Sequence, residues 1–189
     1  MARISRGRLL LLAAAVALVE LGAATQTWVA ASTEAGTSIA GTGSDIVAVV
    51  PALCMAVLAV VAASSLAARW SARVLGAVHG LLAVLLAVVI LRCAANPLDA
   101  ISALVSQTTG VAGQDGVRDL VTGVSVTAWL WVTFGGSIVS GVLGVVQIWA
   151  SGRWTTRSRH EVAARGQVTA EPAETWDSLS RGSDPTMES

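Results

Sequence analysis

Residues 124–154 read VSVTAWLWVTFGGSIVSGVLGVVQIWASGRW, with no formal charge before Arg153. Trp129 and Trp149 stand twenty residues apart, which at about 1.5 Å of rise per helical residue is about 30 Å, the hydrocarbon thickness of a bilayer. Tryptophan favours the membrane–water boundary because its ring is apolar and its indole N–H is polar. Between these markers Gly136, Ser140 and Gly144 recur every fourth residue, so they form a smooth stripe on which another helix packs closely. The stretch predicts a membrane span with a packing face, to be met by another helix of the bundle or by a second copy.

The rest of the chain extends that reading. Of 189 residues, 54% are hydrophobic and 13% charged, too apolar for an ordinary soluble domain. The formal net charge is zero, so no long-range field points to nucleic acid. Three further apolar runs precede the quoted one. The spans are expected at about residues 9–29, 46–68, 74–92 and 124–149 of an all-α, four-helix transmembrane domain covering residues 1–154. The third run carries a second small-residue pair, Gly76 and Gly80, beside His79, and Arg92 closes it. The first run has two readings. A basic MARISRGR followed by eleven apolar residues and Gly22-Ala23-Ala24 resembles a signal peptide. Alternatively the helix runs on through Glu20 to a boundary residue, Trp28, which buries Glu20 near mid-depth at about 2.5–3.5 kcal/mol unless it is protonated or paired.

Between the runs, residues 29–45 are small, polar and Gly-rich, which reads as a loop. Residues 93–123 form a longer polar segment. Within it Asn96 stands as an N-cap before Pro97, and Leu98, Ile101, Leu104 and Val105 share one face, predicting a short amphipathic helix on the membrane surface. A further expectation is that VAAST and DLVTGVS pair as short strands outside the bilayer. Arg3, Arg6, Arg8, Arg69, Arg73, Arg153, Arg157, Arg159 and Arg165 flank one side of the spans, whereas the other loops carry Arg92 and Arg118 beside five acids. By the positive-inside rule both termini are cytoplasmic, in the plasma membrane. Residues 155–189 are polar and mixed in charge and are expected to form a disordered tail. One island interrupts it, TWDSLSRG, in which Trp176, Asp177, Leu179 and Arg181 read as a docking motif for a cytoplasmic protein or the membrane surface.

No Ser–His–Asp set, HExxH, Cys–x–x–Cys or phosphate loop occurs in the sequence, so an enzyme, a metal and a cofactor are not expected. Cys54 and Cys93 read as small packing residues, about 12 Å apart in depth by helical rise and too far for a disulfide. The ionisable groups at membrane depth are the functional candidates: Glu20 first, then His79, then Arg92 as a snorkelling anchor. By helical rise Glu20 and His79 lie at depths of about 17 Å and 8 Å from the inner boundary, so direct contact between them is not expected.

The end of the fourth span reads GRWTTRSRHE and the tail TWDSLSRGSDPT, with TGSD before the second span and TQTW after the first. In these pieces the chain resembles the tryptophan-biosynthesis-associated membrane protein family of high-GC Gram-positive bacteria. His160 departs from the tyrosine usual there. The resemblance implies an uncleaved first helix and an association with tryptophan biosynthesis, without an established activity. Two functions follow as expectations. The first is a non-enzymatic accessory or scaffold protein whose tail meets a cytoplasmic partner. The alternative is a small transporter or exporter of an aromatic amino acid or precursor that uses Glu20 and forms a homo-oligomer.

Overall fold

The computed structural model describes residues 5–34, 36–111 and 114–152. Four of its helices are long and apolar enough to cross a membrane: α1 (Arg6–Ala24), α3 (Val49–Leu66), α4 (Arg69–Ala95) and α7 (Ala128–Ser151). Between them lie β1 (Thr27–Thr33), β2 (Ser38–Thr42), a one-turn α2 (Gly43–Ile46), α5 (Pro97–Thr109), α6 (Gln114–Leu120) and β3 (Val121–Val126). The all-α expectation is therefore corrected. A three-stranded antiparallel sheet, ordered β2-β1-β3, sits at one end of the bundle.

The first helix ends earlier than hydropathy alone suggests because the chain offers better partners for its last carbonyls. α1 stops at Ala24 rather than continuing to Trp28: the Thr25 hydroxyl donates to Gly22 O (2.8 Å) and the Trp28 indole donates to Ala23 O (2.9 Å). Trp28 thus follows the helix rather than ending it, and faces protein rather than lipid. It is fully buried on β1, where its ring lies so close to Gly43 that a Cβ there would stand 2.4 Å from Cε2. At the other long span, residues 124–126 belong to β3 and not to a helix. The Thr127 amide then donates to Trp28 O (2.8 Å), so the strand passes directly into α7.

The two segments expected to pair do so over Val121–Val126, with Val29 opposite Val126 and Ala31 opposite Val124; Asp119 and Leu120 fall instead in α6. α5 is amphipathic, as its spacing requires, yet its apolar face does not lie on a membrane surface. Ile101 and Val105 are fully buried with Trp28, Val29 and Ile39, and Leu98 and Leu104 pack around them. The sheet consumes the stripe. Asn96 precedes α5 but its side chain makes no capping bond; Pro97 at the first position and Gly110, left-handed at φ 73°, define the ends.

At the opposite end, Arg6 ties α1 to the tight α3–α4 turn by donating to Ser64 O and Ala67 O, carbonyls at the C-terminus of α3. The Arg73 guanidinium lies against Gly152, at the end of α7. Trp70 and Trp149 are exposed near this end, and Trp129 and Trp131 project at the sheet end, matching two aromatic belts. Between the ends, α4 and α7 approach through glycine: a Cβ on Gly144 would come within 2.8 Å of Gly80 N and 3.0 Å of Gly76 O. The expected tail, residues 155–189, lies outside the described residues.

Candidate functional site

The inward face of α7 is polar. Thr133, Ser137, Ser140, Gly144, Gln147 and Ser151 follow one another at one-turn spacing, and all are buried. The last lies eighteen residues after the first, about 27 Å of helix and most of a bilayer's hydrocarbon depth. Three of the hydroxyls satisfy themselves on their own helix: Thr133 on Trp129 O, Ser137 on Phe134 O and Ser151 on Ile148 O. Ser140 and Gln147 instead reach across the bundle.

Ser140 Oγ meets His79 Nε2 of α4 at 2.9 Å. Gln147 donates from Nε2 to two elements at once, Ser64 Oγ of α3 (2.8 Å) and Ala72 O of α4 (3.1 Å). Ser64 in turn donates to Val60 O, while its own carbonyl accepts from Arg6. One polar chain thus joins all four spanning helices. Gln147 also lies beside His79, within side-chain hydrogen-bonding reach of it, and His79 Nδ1 and Gln147 Oε1 are both buried with no other group to bond among the described residues.

Glu20 enters this face from α1. It is 0% exposed, and neither carboxyl oxygen has a hydrogen-bond partner among the described residues. The side chain fills the notch left by a missing side chain on α7: a Cβ on Gly136 would stand 2.7 Å from Glu20 Cγ and 3.0 Å from Oε1. Buried Cys54 of α3 lies near the same carboxyl. A carboxyl taken out of water without a partner is held there as the neutral acid, or with a cation supplied from outside the chain.

The candidates from sequence are thereby sorted. Glu20 and Gly136 touch, and His79 bonds to Ser140, so the two ionisable groups meet α7 one turn, about 6 Å, apart. Gly76, Gly80 and Gly144 meet one another in the α4–α7 contact. Arg92 is exposed at the sheet end of α4, away from both ionisable groups. Cys54 and Cys93 are buried free thiols. No cluster of metal-ligating residues occurs among the described residues. Trp176, Asp177, Leu179 and Arg181 lie outside the described residues. Sequence reasoning passed over Thr133, Ser137, Gln147, Ser151 and Ser64. The α7 residues left a signal, polar side chains recurring every three or four positions along an otherwise apolar helix, whereas Ser64 of α3 stands outside that pattern.

No curated protein and no solved structure matches this chain. A family model described as tryptophan-associated transmembrane protein matches residues 9–186, which takes in the four spanning helices together with the tail motif. The chain belongs to the tryptophan-associated transmembrane protein family and is a multi-pass membrane protein.

Proposed function

We propose that the chain is a small plasma-membrane transport protein in which Glu20 carries the coupling proton, moving an aromatic amino acid or precursor as a homo-oligomer. The observation that carries this reading is the carboxyl of Glu20, fully buried in the bundle with neither oxygen partnered. A group acting only as a bundle support would be replaced at a gain by an apolar residue of similar size, since an unpaired acid at membrane depth costs about 2.5–3.5 kcal/mol. The aromatic substrate class is supported by the family's tryptophan association. The oligomer follows because four packed helices rarely enclose a solute pathway alone. Both termini lie in the cytoplasm on this reading, supported by arginine at the Arg6 and Arg73 end against the acids Glu34, Asp45, Asp99, Asp115 and Asp119 elsewhere.

A second reading, a non-enzymatic accessory protein whose tail docks a cytoplasmic partner, is favoured by the TWDSLSRG island, where a tryptophan stands in an otherwise polar segment. The two are separated in vesicles reconstituted with the full chain. Glu20→Gln keeps the volume and removes the proton site, so flux of tryptophan or its aromatic precursors falls to background at equal reconstitution. Unchanged flux overturns the transport reading.

A further inference from the structure

We infer that Glu20 exchanges its proton with the Arg6 end of the bundle through a relay centred on His79, an inference that rests on Glu20 being the working group. The two directions away from Glu20 differ. Toward the sheet, the bundle is filled by Trp28, Val50, Leu86, Ile90 and Leu130, all fully buried and apolar. The one polar side chain of α7 on that side, Thr133, turns its hydroxyl back to Trp129 O. Toward Arg6 a file of polar groups runs beside the apolar cluster of Leu9, Ala13, Ala17, Val57, Val61 and Leu143: Ser137 one residue past the Gly136 notch, then Ser140 bonded to His79, then Gln147 bonded to Ser64. Buried polar atoms with hydrogen-bonding capacity to spare lie along this route: the two Glu20 oxygens, and the neighbouring pair His79 Nδ1 and Gln147 Oε1.

Imidazole is the one side chain here that accepts a proton at one nitrogen while releasing another from the second. In the Nε2–H tautomer, a proton delivered to His79 Nδ1 by water entering from the Arg6 end releases the one on Nε2 to Ser140 Oγ, and the Ser140 hydroxyl passes its own proton through a bridging water to the ionised Glu20 carboxylate. The remaining turn of α7, about 6 Å past Ser137, is a span one ordered water bridges. One proton moves net, no heavy-atom bond changes, and tautomer exchange resets the ring. Few other groups compete. The titratable or charged residues on the helices around His79 are Glu20, Arg6 and Arg8 of α1, Cys54 of α3, and Arg69, Arg73, Arg92 and Cys93 toward the ends of α4 itself; α7 carries none. His79 is on this account a positioning and relay residue, and Glu20 the group it serves.

The test is deuterium exchange of the Glu20 carboxyl, read by infrared spectroscopy on the full chain in vesicles and assigned as the band lost in Glu20→Gln. His79→Phe slows that exchange about 100-fold, the scale of losing a positioned proton-transfer group, and Ser140→Ala slows it in the same direction. Val139→Ala, on the lipid-facing side, leaves it unchanged. His79→Gln retains a donor and an acceptor but cannot relay, and it reports the same slowing should the phenylalanine variant not fold. Exchange as fast in the folded His79 variants as in the parent overturns the relay, as does a Glu20 band without isotope sensitivity. Tryptophan flux that needs Glu20 while exchange ignores His79 removes the relay alone. Flux indifferent to Glu20 beside His79-dependent exchange removes the transport reading and keeps the relay.

Discussion

At the scale of single residues, two placements carry much of the structure. Trp28 is buried completely, its indole N–H capping α1 and its ring resting on Gly43. Gly43 opens α2, whose Thr42 N-cap and Asp45 form a reciprocal capping box. The TQTW and TGSD segments are therefore two halves of one contact. A methyl at Gly43 would meet the rigid indole at 2.4–2.8 Å, a clash that a ring packed on all sides cannot relieve. Gly43→Ala should destabilise the sheet end by about 1–3 kcal/mol, seen as a lower melting temperature in detergent with the helical circular dichroism of the bundle retained below the transition. Gly36→Ala meets no neighbour at its Cβ but sits at φ 76°, so its smaller penalty is one of backbone strain.

Among elements, α4 and α7 form the closest pair, and the reason is local. Gly144 brings its backbone against Gly76 and Gly80, so close approach is possible at this level. One turn away in either direction the same pair exchanges polar bonds, His79 with Ser140 and Gln147 with Ala72 O. The two glycine partners are not equivalent. A Cβ on Gly144 would press on the Gly80 backbone, whereas a Cβ on Gly80 would meet nothing within 4 Å. Gly144→Ala should therefore cost about 1–3 kcal/mol while Gly80→Ala stays within about 0.5 kcal/mol of the parent or gains helix propensity. Matched thermal melts in one detergent check the contrast, and equal losses at the two sites would refute the packing direction. α5 teaches the converse lesson about amphipathic helices. Its apolar face is legible in Leu98, Ile101, Leu104 and Val105, but periodicity does not say what covers that face, and here a sheet does.

For the whole molecule, the chain divides into Met1–Trp154 and Thr155–Ser189, and the two proposed roles divide the same way. The proton site belongs to the bundle and the docking motif to the tail. Deleting residues 170–189 should leave the bundle's melting temperature unchanged while abolishing recovery of a cytoplasmic partner by affinity purification. Identical recovery from the intact and shortened proteins would count against the docking reading. Transport of an aromatic solute should survive the same deletion, because among the described residues the groups around Glu20 and His79 belong to the spanning helices.

The sequence by itself determined the four apolar helices, the segregation of arginine to one end, and the short list of ionisable residues at depth. Each of these depends on local composition matched to a fixed length, the thickness of hydrocarbon, and so can be counted along a chain. Only the tertiary structure decided that the Trp28 indole closes α1 from inside the protein, that β2 joins the two expected strands in a sheet capping the bundle, and that the Gly136–Ser140–Gly144 face of α7 meets Glu20, His79 and α4 within one chain. The physical reason is that a small or polar residue on an apolar helix states only that something must be accommodated there. Which carboxyl, imidazole or backbone takes the place depends on rotations and depths of separate helices, and those are set by packing across the bundle.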